Sequence, residues 1–109
     1  DGHLVSAQIR LRGQPGPDEV AQALRDFQSP VELPSSPRPL IHVLDRRDRP
    51  QPRLDLMRGA GMAVTVGRVE ACPVMGVKLY CLAHNTIRGA AGAAIGNLEL
   101  LRARGLLPG

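Results

Sequence analysis

The sequence predicts an α+β domain in which a mixed or antiparallel sheet carries its helices on one face. Three observations support this prediction: an alternating apolar segment opens the chain, a short amphipathic helix follows it, and two apolar, β-rich segments precede a last helix. The element order is strand, helix, strand, loop, strand, strand and helix. A length of 109 residues suits one domain.

The first strand is predicted over residues 4–12, in "HLVSAQIRLR". Its apolar residues share one side and its polar residues the other, which is typical of a half-buried strand; the apolar set is Val5, Ala7, Ile9 and Leu11. The turn residues "GQPGP" end this strand. Asp18 is then expected to cap a helix through "EVAQALRDF".

A proline-rich connection leads to "LIHVL", a short strand in which His42 is expected to be a packed residue. The charged, proline-interrupted segment after it predicts an exposed arm at about residues 45–60. On this arm we expect Arg49, Arg53 and Asp55 to form a solvated or inter-subunit surface, not to bind substrate.

Two strands, "MAVTVGRVE" and "MGVKLYCLA", are predicted to be joined around Cys72 and Pro73. Segments such as "MAVTV" are apolar on both sides. Our hypothesis is therefore that another subunit covers the second sheet face, which predicts a homo-oligomer, a dimer or a tetramer.

The last helix is predicted from about Thr86 to Arg104, ending at Gly105. It contains three interior glycines, each costing about 1 kcal/mol relative to alanine: Gly89, Gly92 and Gly96. Their spacing of three and four places them on one stripe, which lets another backbone approach closely. The apolar residues form a neighbouring stripe. Asn85 or Thr86 can cap the first turn.

Composition excludes several classes of function. The net charge is +4, but Phe27 and Tyr80 are the only aromatic residues, too few for base stacking, so we expect no nucleic-acid binding. No apolar run reaches the roughly 18 residues of a membrane span. Cys72 and Cys81 belong to no metal-ligand cluster, so we expect no metal site and two reduced thiols in a cytoplasmic protein.

Three segments resemble aspartate-semialdehyde dehydrogenase of the archaeal and fungal type. They are "DGHL" at residues 1–4, "DRPQPRLD" at 48–55, and "GMAVTVGRV" followed by "LAHNTIRGAAGAAIGNLELL". The resemblance implies the C-terminal domain of glyceraldehyde-3-phosphate-dehydrogenase-like enzymes. Residues 1–85 would then form the catalytic and dimerisation domain, and residues 86–109 a closing helix that packs on a dinucleotide-binding domain outside this chain.

The resemblance also implies chemistry. Such enzymes use NADP to convert aspartyl phosphate to aspartate semialdehyde, in the biosynthesis of lysine, threonine and methionine. His3 corresponds to the acid/base beside a cysteine nucleophile, a role that suits imidazole because its pKa lies near working pH. Asn85 and Thr86 would lie near the nicotinamide end of the cofactor. The plain alternatives are a surface histidine at a strand start and an ordinary helix cap.

The chain shows neither a glycine-rich phosphate loop after a first strand nor the segment that bears the nucleophile, so by resemblance it is expected to be inactive alone. Its partners would be the dinucleotide-binding domain and a small-molecule substrate. Two alternatives remain open: a malonyl-CoA reductase of the same fold, and a non-catalytic dimerisation or interaction module.

Overall fold

Four strands form one mixed sheet in the order β1-β4-β3-β2. The computed structural model describes residues 1–108. The strands are β1 (Gly2–Ile9), β2 (Ile41–Leu44), β3 (Val64–Cys72) and β4 (Gly76–His84), and the helices are α1 (Pro17–Asp26), α2 (Pro52–Asp55) and α3 (Gly92–Ala103). A 3₁₀ turn spans Arg58–Gly61 and a π-helical turn spans Ile87–Ala91. The predicted α+β class is confirmed, and so is the element order, except that the predicted loop contains the short helix α2 and the 3₁₀ turn.

Strand β1 lies at one edge of the sheet and pairs antiparallel with β4 over its whole length. It begins two residues earlier than predicted, so His3 lies inside the strand. The expectation of a half-buried strand is wrong at its beginning, because Leu4 and Val5, on opposite faces, are 46% and 44% exposed. An alternating pattern shows which side chains are suited to burial but not whether another element packs on them. Within residues 1–108, no element buries Leu4 or Val5.

Helix α1 packs against β2 and β3 through the buried Ala21. The expected cap at Asp18 is wrong. The helix begins two residues earlier than predicted, at Pro17, with Gly16 as N-cap and no side-chain cap bond. Proline suits the first helical position because it has no N–H to leave unpaired, and Asp18 in the first turn still complements the helix dipole.

The hairpin of β3 and β4 turns at Pro73–Met75, as predicted, and forms the centre of the core. Both strands supply its most deeply buried large side chains: Thr65, Val66, Val77, Leu79 and Leu82. A bulge between Gly67 and Glu70 interrupts the pairing and places Arg68 at φ 51°, with its guanidinium 5.0 Å from the centre of the Tyr80 ring. Strand β2 adds to β3 in parallel.

The predicted exposed arm is only partly exposed. Its first residues, Asp45 to Asp48, face solvent, but Pro50 and Asp55 are buried. The expectation of a solvated or inter-subunit Asp55 is therefore wrong. A buried carboxylate needs cationic or hydrogen-bonding partners, and the arm folds back to supply them.

The last helix has two parts. The predicted start is a π-helical turn, and regular α-helix begins only at Gly92. The predicted end is confirmed: Gly105 has φ 68°, its N–H reaches the carbonyl of Arg102, and the N–H of Leu106 reaches that of Leu101, which together form a Schellman motif.

The glycine stripe of this helix faces the chain itself. A Cβ at Gly92 would collide with Met62 Sδ and lie 2.5 Å from the Ile87 carbonyl oxygen, and one at Gly96 would lie 3.9 Å from Ser35 Oγ. The close approach that requires Gly92 is thus internal to this chain, whereas Gly89 is exposed, and the packing of this helix on another domain stays a prediction. The neighbouring apolar stripe is the outward one, with Leu98 55% exposed.

Candidate functional site

The antiparallel pairing of β1 with β4 brings the predicted site residues together. His3 lies opposite Ala83, and Gly2 opposite His84. One residue beyond β4, the N–H of Asn85 donates to the carbonyl oxygen of Asp1 at 2.8 Å. The predicted acid/base and the predicted cofactor-contacting turn, about 80 positions apart in sequence, therefore meet at one end of the sheet.

The His3 side chain is exposed at this end. By strand alternation it shares a face with Val5 and, across the strand pair, with Ala83 and Cys81. An exposed imidazole on a hydrogen-bonded strand is accessible to a substrate while its backbone is fixed by the sheet. This arrangement can support proton transfer.

Cys81 is the sulfur nearest in register to His3, because it pairs with Val5 on the same face. Burial raises the pKa of the Cys81 thiol, which opposes formation of the reactive thiolate. The pKa of Cys72 is lowered by hydrogen bonds from backbone N–H groups of the hairpin turn, chiefly that of Met75. Cys72 is the last residue of β3 and pairs with Gly76, seven residues along β4 from the Ala83 that faces His3, a separation of about 23 Å at roughly 3.3 Å per residue. Neither thiol forms a nucleophile–base pair with His3.

The turn after β4 is capped by a residue that sequence reasoning did not select. Neither Asn85 nor Thr86 provides a side-chain cap. Instead, the Nδ1 atom of His84 accepts hydrogen bonds from the backbone N–H groups of Thr86 at 3.2 Å and Ile87 at 3.1 Å. Histidine is uncommon in this role, whereas Ser, Thr, Asp and Asn are the usual caps, so the prediction chose the wrong neighbours.

The same turn rests on a second element with unusual backbone. Gly59, Ala60 and Gly61 all have positive φ, and a Cβ at Gly61 would lie 2.8 Å from Ile87 Cδ1. Only glycine leaves space for Ile87 at this position. The site turn is thus packed against the loop that precedes β3.

The arm supports the beginning of β1. A Cβ at Gly2 would lie 2.7 Å from Leu56 Cδ1, so the residue after α2 packs directly beneath the strand that carries His3. Leu56 in turn follows Asp55, whose carboxylate anchors the arm to the domain.

Asp55 is the centre of a buried charge cluster. Its carboxylate accepts hydrogen bonds from Arg49 Nε at 2.7 Å and Arg58 Nε at 2.9 Å, from a second Arg49 nitrogen, and from the Gln51 N–H at 2.8 Å. The hydrogen bond from Arg49 holds the pKa of Asp55 far below its ordinary value, against the opposing effect of burial. Burial and the positive charge of Arg58 lower the pKa of His42 on neighbouring β2. Arg53 remains exposed.

Residues 1–108 contain no group of three or more His, Cys, Asp or Glu side chains arranged to hold a metal ion. Within the same residues, no helix has both the length and the apolar character needed to cross a membrane. Both cysteines are free thiols.

The family described as "Semialdehyde dehydrogenase, dimerisation domain" matches residues 1–88. Aspartate-semialdehyde dehydrogenase from Aspergillus fumigatus is 44% identical over 115 residues, which cover 98% of this chain and 32% of that protein. The enzyme of the same name from Archaeoglobus fulgidus is 43% identical over 101 residues, covering 93% of this chain and 29% of that protein. The chain therefore spans about a third of the length of these relatives.

Solved structures show the same correspondence. The crystal structure of aspartate semialdehyde dehydrogenase with NADP from Candida albicans has a TM-score of 0.87 and 41% identity, covering 98% of this chain and 31% of that chain. Aspartate semialdehyde dehydrogenase II from Vibrio cholerae has a TM-score of 0.75 at 24% identity, covering 94% of this chain and 27% of that chain, and shows the fold alone.

Proposed function

This chain belongs to the semialdehyde dehydrogenase dimerisation-domain family, and on that premise we propose that it forms the C-terminal catalytic part of an NADP-dependent aspartate-semialdehyde dehydrogenase. The observation that carries the proposal is the pairing of β1 with β4, which places His3 beside the turn at Asn85. The remaining two-thirds of such an enzyme would supply the dinucleotide-binding domain and the cysteine nucleophile. The chain by itself would be inactive.

In this proposal His3 is the acid/base. When the aldehyde is oxidised, a cysteine thiolate adds to the carbonyl carbon and the oxygen gains a proton. His3 takes that hydroxyl proton as the carbon–oxygen double bond re-forms and the hydride on the same carbon leaves for bound NADP, and phosphate then displaces the thiolate to give aspartyl phosphate. Biosynthesis runs in the opposite direction, with His3 returning the proton. Exposure of the imidazole at a fixed strand position supports this role.

Asn85 and Thr86 are proposed to contact NADP near its nicotinamide end. When bound, NADP accepts or supplies the hydride. The fit is supported by the exposure of both residues and by the Candida albicans structure of the same fold, which contains NADP. The backbone N–H of Asn85 is already bonded to Asp1, so the turn is held in place before any ligand arrives.

The outward stripe of α3 is proposed to pack on the dinucleotide-binding domain. Ile95, Leu98 and Leu101 are 53%, 55% and 41% exposed, more apolar surface than a helix normally leaves in water. The family description supports oligomerisation. We propose a homodimer or tetramer formed through a sheet face, which leaves His3 accessible, in a cytoplasmic enzyme whose thiols stay reduced.

The test uses the longer polypeptide that carries this chain. NADP reduction is followed with aspartate semialdehyde and phosphate, and malonyl-CoA is tested with NADPH in parallel. Phosphate-dependent activity on the semialdehyde supports the proposal. Activity on malonyl-CoA alone would assign the alternative reductase, and inactivity of the folded protein on both substrates would favour a dimerisation or interaction module.

A further inference from the structure

We propose that His84 is a positioning residue that shapes the Asn85–Ile87 turn for the cofactor. The inference deepens the proposed function and rests on it, since it concerns the residues proposed to meet NADP. It arises from a buried side chain that the acid/base and cofactor assignments above do not use.

The geometry assigns His84 a defined protonation form. The residue is 9% exposed, and Nδ1 accepts two backbone N–H groups, at 3.2 Å from Thr86 and 3.1 Å from Ile87. An imidazole nitrogen that accepts N–H donors carries no proton, so the proton of the neutral ring is on Nε2. The Thr86 hydroxyl lies 3.3 Å from the same Nδ1 atom.

This cap leaves the side chain of Asn85 available. Asparagine at a helix start commonly bonds to the N–H groups of the next turn. Here His84 satisfies those groups, and within residues 1–108 the Asn85 amide makes no hydrogen bond to another part of the chain. An exposed amide whose backbone is fixed can bind a ligand without first breaking an internal bond.

The turn that His84 caps also departs from regular α-helix. The N–H of Ala91 bonds to the carbonyl oxygen of Thr86, five residues back, at 2.7 Å. Single π-helical turns of this kind occur frequently at functional sites. Loss of the His84 acceptor would leave two N–H groups unpaired beside this turn and favour its rearrangement.

The test replaces His84 in the complete polypeptide. Asparagine carries its side-chain oxygen at the position of Nδ1 relative to Cγ, whereas leucine fills similar space with no acceptor. We expect His84→Leu to raise the KM for NADP at least tenfold with kcat changed less than threefold, and His84→Asn to stay within threefold of wild type in both. His42→Leu is the matched control on β2 and is expected to leave the KM for NADP unchanged.

A KM for NADP within twofold of wild type in folded His84→Leu would overturn the proposal, as would an asparagine variant no better than leucine. If the leucine variant does not fold, His84→Gln carries the comparison, because its acceptor lies one bond too far from the backbone. Hydrogen exchange at the Thr86 and Ile87 amides tests the cap independently of activity. Faster exchange in His84→Leu than in wild type shows that the cap exists, whether or not the cofactor role is correct. An inactive wild-type protein would overturn the enzyme assignment and the cofactor role together.

Discussion

Replacing Asp55 with asparagine is expected to release the arm. The change keeps the size and shape of the side chain but removes its negative charge. The carboxylate has almost no exposed surface and accepts four hydrogen bonds, three of them from the guanidinium groups of Arg49 and Arg58. Asparagine leaves both cations without their counter-charge, and its NH₂ group is a donor that faces other donors.

The expected loss of stability in Asp55→Asn follows from the burial of its ion pairs. Removing one partner of a buried ion pair costs about 3–5 kcal/mol. The Arg49 side chain is 15% exposed but that of Arg58 is 32% exposed, so water compensates part of the loss and the lower limit applies. A loss of about 3 kcal/mol corresponds to a fall of roughly 6–12 °C in the thermal midpoint of a cooperative unit of 150–250 residues, and to a larger fall in a smaller unit.

The assay is thermal unfolding of the complete polypeptide, with Asp45→Asn as the matched control. Asp45 pairs with Arg25, but its side chain is 87% exposed, and an exposed pair contributes less than about 1 kcal/mol. The pKa of Asp55 is lowered on folding, so its stabilisation is complete above the unfolded value near 4 and is lost only as pH falls below it. The difference between wild type and Asp55→Asn should therefore be constant from pH 7 to pH 5. A midpoint lowered no further by Asp55→Asn than by Asp45→Asn would refute this reasoning.

Two further predictions concern packing. Gly67→Ala is expected to destabilise the protein by about 1–3 kcal/mol in denaturant unfolding, because the new Cβ would collide with the Arg49 carbonyl and lie 2.7 Å from Pro50 Cδ. The control Gly16→Ala, whose Cβ would meet nothing within 4 Å, should cost less than about 1 kcal/mol. Equal losses of stability in the two variants would contradict the account. Glu99→Ala is expected to speed hydrogen exchange at the Ser35 amide severalfold, since Glu99 accepts that N–H at 3.1 Å and the Ser35 hydroxyl at 2.6 Å. The control Glu99→Gln keeps an acceptor and should retain most of the protection. Unchanged exchange in Glu99→Ala would show that this contact does not hold the helix.

The sequence predicted the element order because each element carries a local signal. Alternation marked the strands, and Gly105 marked the end of the last helix, which the structure confirms with a left-handed glycine. These signals depend on neighbours a few residues apart, so they can be read without tertiary contacts.

The predictions fail for residues whose burial or hydrogen bonding depends on partners distant in the sequence. Asp55 reads as a surface residue because aspartate is seldom buried, and only the folded arm brings Arg49 and Arg58 to it. His84 was not selected as the cap because Asn85 and Thr86, residue types preferred at helix starts, follow it directly. The glycine stripe was predicted to allow a close approach, but only the folded chain shows that at Gly92 the close neighbours are Met62 and the Ile87 carbonyl of this chain.

For the candidate site, too, the choice of residues came from the sequence and their proximity from the fold. His3 and Asn85 were selected through resemblance, and the structure supplies the pairing that makes them neighbours. Their roles in catalysis and cofactor binding stay predictions, as does the packing of α3 on another domain.

The most direct measurement of the central claim is the phosphate-dependent kcat of His3→Ala in the complete polypeptide, followed by NADP reduction with aspartate semialdehyde. Removing a general acid/base lowers the rate by about 10²–10⁴-fold, and we expect a loss in that range with the KM for NADP little changed. Turnover within a few-fold of wild type would contradict the account, because it would show that the imidazole at the start of β1 moves no proton in the reaction.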